Sequence, residues 1–109
     1  MGKEYLGELE ELILTVVGLL EDDAYGNSII REIKEQVKRE VSLAAAHVTL
    51  YRLEGKGLIK SRVGGATKTR GGRSKRIFSI TNAGLSVLRA MKEDRMKLWR
   101  LVPQLRSNY

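Results

Sequence analysis

A chain of 109 residues, 42% of them apolar, fits one domain and can bury only a modest core of its own. It has no cysteine and a single histidine, which excludes a disulfide scaffold and thiolate metal sites and argues against a protein-built metal centre. The formal charge of +7 is unevenly spread: residues 1–24 hold one Lys against seven acids, whereas Lys60, Arg62, Lys68, Arg70, Arg73, Lys75 and Arg76 share a stretch without a carboxylate. An acidic beginning and a basic second half suggest one face turned toward a polyanion and another turned away.

Leu6, Leu9, Leu12, Ile13, Val16, Val17 and Leu20 recur at three- and four-residue intervals and predict an amphipathic first helix, ended by Glu21-Asp22-Asp23. Its apolar run, Leu12 to Leu20, is too short to cross a bilayer, so neither a membrane span nor a signal peptide is expected, and a cytoplasmic location fits. A second helix is expected from about Tyr25 to Arg39. Ser42 offers an N-cap for a third, from Leu43 to about Gly55. At 100° per residue the third helix should turn Leu43, Ala46, Leu50 and Leu53 inward and Ala44, Ala45, Val48, Tyr51 and Arg52 outward, with His47 and Thr49 at the borders. Leu58 to Val63 and Arg76 to Ile80, separated by glycine pairs, read as a hairpin with a long cationic tip. Thr81 or Asn82 then caps a long helix carrying Leu85, Leu88, Met91, Leu98, Trp99 and Val102, which Pro103 should stop or bend.

The expected fold class is therefore mainly α with a two-stranded wing. Residues 1–82 form a winged helix-turn-helix unit, and residues 83–109 a C-terminal dimerisation helix within the same compact body. An α-helix fits the major groove of B-DNA. Candidate contacts are Ser42, Ala44, Ala45, His47, Val48, Thr49, Tyr51 and Arg52 on the third helix, with Lys68, Arg70, Arg73 and Lys75 on the wing. Arg52 can donate two hydrogen bonds to a guanine edge, Thr49 one to a base or phosphate, and Val48 or the alanines can meet a thymine methyl. The wing cations supply affinity rather than sequence choice. Against this stands a blander reading, a solvated basic loop, or a winged-helix module that docks an acidic protein without specific DNA binding. His47 has no nucleophile or carboxylate grouped with it, and the glycine-rich tip lacks the Walker spacing, so no enzymatic activity and no cofactor are expected.

Leu9-Glu10-Glu11-Leu12-Ile13-Leu14, Tyr25-Gly26, Leu53-Glu54-Gly55-Lys56-Gly57-Leu58-Ile59 and the run from Arg73 to Gly84 occur in an order and spacing that resembles the PadR family of transcriptional regulators. The similarity spans about Leu6 to Leu88. With one long helix after the wing, the chain is similar to the short subgroup of that family. The resemblance implies a homodimeric winged helix-turn-helix protein on a palindromic operator in double-stranded DNA, usually a repressor. It also implies a dimer formed by the last helix together with the N-terminal helix, with a seam here at Leu88, Met91, Arg95, Leu98, Trp99 and Val102, which in this subgroup can hold a small apolar or aromatic effector. Trp99 reads either as a stacking residue for such a ligand or simply as a large interface side chain. The sequence departs from the family at His47, where many members carry a tyrosine.

Overall fold

Helix, helix, helix, hairpin, long helix is the order found in the computed structural model, which describes residues 5–64 and 75–106. The elements are α1 (Glu8–Leu20), a 3₁₀ turn (Glu21–Asp23), α2 (Gly26–Val37), α3 (Leu43–Gly55), β1 (Ile59–Val63), β2 (Arg76–Ile80), α4 (Asn82–Leu101) and the single turn α5 (Pro103–Arg106). The limits expected for α3 and β2 coincide with those observed.

Each helix begins where a side chain can satisfy an orphan backbone N–H. At α1 the Glu10 carboxylate accepts from the Gly7 N–H at 2.9 Å. Lys56, just past the end of α3, adds an ion pair to the same carboxylate at 3.1 Å. The Gly7 N–H, and then Lys56, hold Glu10 below the usual glutamate pKa against an opposing push from burial. Ahead of α2, Ser28 Oγ accepts from the Tyr25 N–H at 2.9 Å and donates to the Asp23 carbonyl at 2.6 Å. Ser42 caps α3 by accepting from the Ala45 N–H at 3.0 Å. Thr81 caps α4 by accepting from the Gly84 N–H at 3.1 Å, and its hydroxyl donates to the Gly57 carbonyl at 2.8 Å. That second bond ties the end of the wing to the turn after α3.

The core is built around α1, whose Ile13, Leu14, Val16 and Val17 are all buried. Ile29 and Ile33 of α2, Leu50 and Leu53 of α3, Ile59 and Phe78 of the hairpin and Met91 of α4 close over it. The strands pair antiparallel with Ser61 opposite Phe78 and Val63 opposite Arg76. Phe78 also donates its N–H to the Ala24 carbonyl at 2.8 Å, fastening β2 to the segment between α1 and α2. Phe78 enters the core, while Arg76, on the same face of β2 but two residues nearer the tip of the hairpin, stays exposed. Pro103 stops the long helix as expected: α4 ends at Leu101, Val102 before the proline is extended, and Pro103 opens α5, where its missing N–H costs nothing.

One backbone contact admits no side chain. A Cβ at Gly84 would lie 2.3 Å from the Leu58 carbonyl oxygen and 2.8 Å from Ile80 Cγ1. The first turn of α4 can therefore seat against the start of the wing only with glycine there. Gly84→Ala should lower stability by about 1–3 kcal/mol through overpacking. Urea unfolding checks this, and a variant as stable as the parent would show that α4 does not pack so closely.

Candidate nucleic-acid interface

Burial on α3 falls on Ala46, Thr49, Leu50 and Leu53. The sequence pattern named Leu43 instead of Thr49, so the buried stripe is turned by roughly 30° from the expected one at 100° per residue. Thr49 is only 4% exposed, which corrects its assignment as an outward contact, and Leu43 is exposed. Close approach of two helices underlies the seating. A Cβ at Gly26 would come within 2.9 Å of Leu43 Cδ1 and 3.2 Å of His47 Nε2, so the first turn of α3 rests on the first turn of α2.

The rotation decides which side chains form the crest. Ala44, Val48 and Tyr51 lie opposite the buried stripe and are exposed, Tyr51 to 63%. His47 and Arg52 are exposed on the two shoulders, Ala45 is half-buried, and Ser42 is exposed at the cap. Arg52 faces the α1 side closely enough that its charge helps lower the pKa of Glu10.

The wing begins beside this crest. Lys60 and Arg62 are exposed on one face of β1, opposite Ser79 and Ile77. Lys75 places its ammonium 4.2 Å from the centroid of the Tyr25 ring. Lys68, Arg70 and Arg73 lie outside the described residues. Arg76, counted among the wing cations, is engaged within the fold: its Nη1 donates to Ser61 Oγ at 2.9 Å, and Ser61 in turn donates to Glu54 Oε2 at 2.7 Å. This bridge runs from the last turn of α3 through both strands, fixing the attitude of the wing relative to the helix. Ser61 did not stand out in the sequence, and Tyr25 did so only within the Tyr25-Gly26 motif, because their roles depend on partners 7 and 50 residues away, Glu54 and Lys75.

The residues expected to form a dimer seam divide into two groups. Met91 is 5% exposed and belongs to the chain's own core, which corrects it as a seam residue; half-buried Leu88 packs against the edge of that core. Arg95 lies 3.9 Å from Glu11 of the same chain. Beyond it Leu98 (62%), Trp99, Leu101 and Val102 are exposed along the far end of α4. Leu98 and Val102 continue the line of Met91 after α1 has ended beneath it. Among the described residues no group of three His, Cys, Asp or Glu could hold a metal, and no helix is long and apolar enough to cross a membrane.

A helix presented by two supporting helices, with a two-stranded wing at its end, defines a winged-helix protein. Residues 13–90 match the model of the transcriptional regulator PadR-like family, and the chain belongs to that family. A PadR family transcription regulator from Clostridium difficile is similar at 26% identity, with 90% of this chain and 97% of that one covered and a TM-score of 0.73. A PadR-like regulator from Bacillus cereus (23% identity, 92% and 88% covered, TM-score 0.65) shares the fold. So does RosR of H. salinarum, at 24% identity with 94% and 86% covered and a TM-score of 0.70. No curated protein sequence matches the chain.

Ser61→Ala should remove the middle of the Glu54–Arg76 bridge at a cost of about 1 kcal/mol, the usual net worth of such a bond. Ser61→Thr should restore it. Chemical denaturation of the three proteins measures both steps, and equal stability of all three would mean that the bridge holds nothing.

Proposed function

We propose that this PadR-like regulator is a homodimer that binds a palindromic operator and acts as a repressor. The observation that carries this reading is the bare crest of α3, small and medium side chains backed by a buried stripe, with a cationic hairpin at its end. A ridge of Ala44, Val48 and Tyr51 allows close approach of the helix to base edges, with thymine methyls as apolar partners. Arg52 and His47 on the shoulders supply hydrogen bonds, and Arg52 offers the bidentate pairing with guanine. Ser42 and Ala45 lie along the same approach. Lys75, with Lys68, Arg70 and Arg73 beyond the described strands, neutralises phosphates without reading sequence.

The uncovered end of α4 supports self-association. Leu98, Trp99, Leu101 and Val102 have no core of their own left to cover, and a second copy offers the same stripe in return. A symmetric pair would set the two α3 helices about 34 Å apart, in successive major grooves on one side of the duplex. Trp99, half-exposed at that seam, is the side chain best placed to stack on a small apolar or aromatic effector.

Competition titrations of an operator duplex and a random duplex at several salt concentrations test the division of labour. Arg52→Ala should relax discrimination by about 1–3 kcal/mol per lost base contact. The double variant Arg70→Gln, Arg73→Gln should instead weaken binding to both duplexes and flatten the salt dependence. Two chains should bind per operator. Equal losses at both duplexes from both variants would contradict the scheme, and tight binding to an acidic protein with only non-specific DNA affinity would favour a protein-docking module.

A further inference from the structure

We propose that Tyr25 gathers Arg31 and Lys75 into a two-cation clamp for a single phosphodiester of the DNA backbone, bridging the root of the wing and the first helix of the helix-turn-helix. The inference rests on the DNA-binding reading above and adds to it a contact outside α3 and the wing tip.

A cleft of about 600 Å³ runs along one side of α2. Ile30 and Val41 line it together with the Tyr25 ring, and Arg31, Lys34, Arg39 and Lys75 bring cations from three parts of the chain. These cations are not equivalent. Lys34 pairs with Glu40 at 3.1 Å, and Arg39 pairs with Glu8. Arg31 and Lys75 instead converge on one neutral side chain. The Arg31 Nη2 lies 3.5 Å from the Tyr25 hydroxyl oxygen, and the Lys75 ammonium sits over the ring at 4.2 Å from its centroid. An ammonium over an aromatic face is not paired with a carboxylate, so N–H donors remain for what fills the cleft that Lys75 lines. Arg31 likewise keeps most of its five donors.

Two cations held together by a phenol ring make a site for an oxyanion that either would bind only weakly alone. The occupant favoured here is a backbone phosphate rather than a free one. The cleft is an open trough, not an enclosed pocket of the kind that buries most of a small ligand. It also adjoins the proposed DNA face at both ends: Val41 lies next to the α3 cap at Ser42, and Lys75 leads into the wing. A strand passing from the groove occupied by α3 toward the wing would cross it, and the first helix of such motifs lies across the backbone.

Fluorescence anisotropy with a random duplex, from about 50 to about 200 mM salt, tests the clamp even if operator reading by α3 fails. Replacing both cations (Arg31→Gln with Lys75→Gln) should lower the logarithmic salt slope by about 0.9, a loss of affinity across that range roughly 3.5-fold smaller than the parent's. Tyr25→Leu, which leaves every charge in place, should lower the slope in the same direction, and Tyr25→Phe, which keeps the ring under Lys75, should recover part of it. Thermal unfolding of each variant separates this from a loss of fold, because a smaller folded fraction raises the apparent Kd by the same factor at each salt concentration and leaves the slope as it was. An unchanged slope in the double variant overturns the clamp, and an unchanged slope in Tyr25→Leu overturns the role of the ring. Inorganic phosphate that binds the free protein through Arg31 and Lys75, with no change in the duplex slope on their removal, would assign the cleft to a free anion and overturn the backbone assignment.

Discussion

Helix α3 is held to the rest of the molecule through one stripe, Ala46, Thr49, Leu50 and Leu53, and the proposed reading of base edges follows from what that stripe leaves uncovered. Burying Leu50 and Leu53 against a core centred on α1 stabilises the fold by a few kcal/mol for the two side chains, by the usual area relation. The same burial fixes the rotation of α3 about its axis. Gly26 keeps the first turn of α2 close to α3, where a Cβ would oblige the side chains of Leu43 and His47 to shift. The crest of Ala44, Val48 and Tyr51 is thus a consequence of packing on the far side of the helix.

Around this helix the polar contacts act as struts between elements distant in sequence. Lys56 reaches back to Glu10 at the start of α1, Thr81 to Gly57, Phe78 to Ala24, and Ser61 joins Glu54 to Arg76. Each is individually worth about 1 kcal/mol or less. Their common effect is geometric: helix, wing and α4 keep one relative orientation, as the proposed contact with a duplex at several points at once requires. Charge then follows the same division. The acids of α1 are spent on caps and internal pairs, whereas Lys60, Arg62 and Lys75 stand exposed on the hairpin.

Periodicity and capping chemistry made the architecture legible from the amino-acid sequence. Ser42 and Thr81 marked the starts of α3 and α4, and the glycine pairs marked the hairpin, because these signals act over a few residues. Exact helix rotation was less legible. Thr49 and Leu43 lie at opposite edges of the apolar stripe, and hydrophobicity alone favours Leu43; the neighbouring helices decide otherwise. Met91 belonged to a continuous apolar line along α4, and nothing local tells where α1 stops covering that line. The Ser61 bridge and the Tyr25 cluster were invisible for a related reason, since each joins residues brought together only by the hairpin and its pairing with Ala24. The family resemblance, resting on short motifs in sequence order, pointed to the PadR-like group without resolving any of these contacts.

Hydroxyl-radical footprinting of the protein, free and bound to an operator duplex, tests the central claim most directly. Tyr51 and His47 on the exposed side of α3 should lose reactivity when DNA is added, while Trp99 on α4 keeps the level it has in the free protein. Protection confined to α4, with Tyr51 and His47 as reactive as before, would contradict the account.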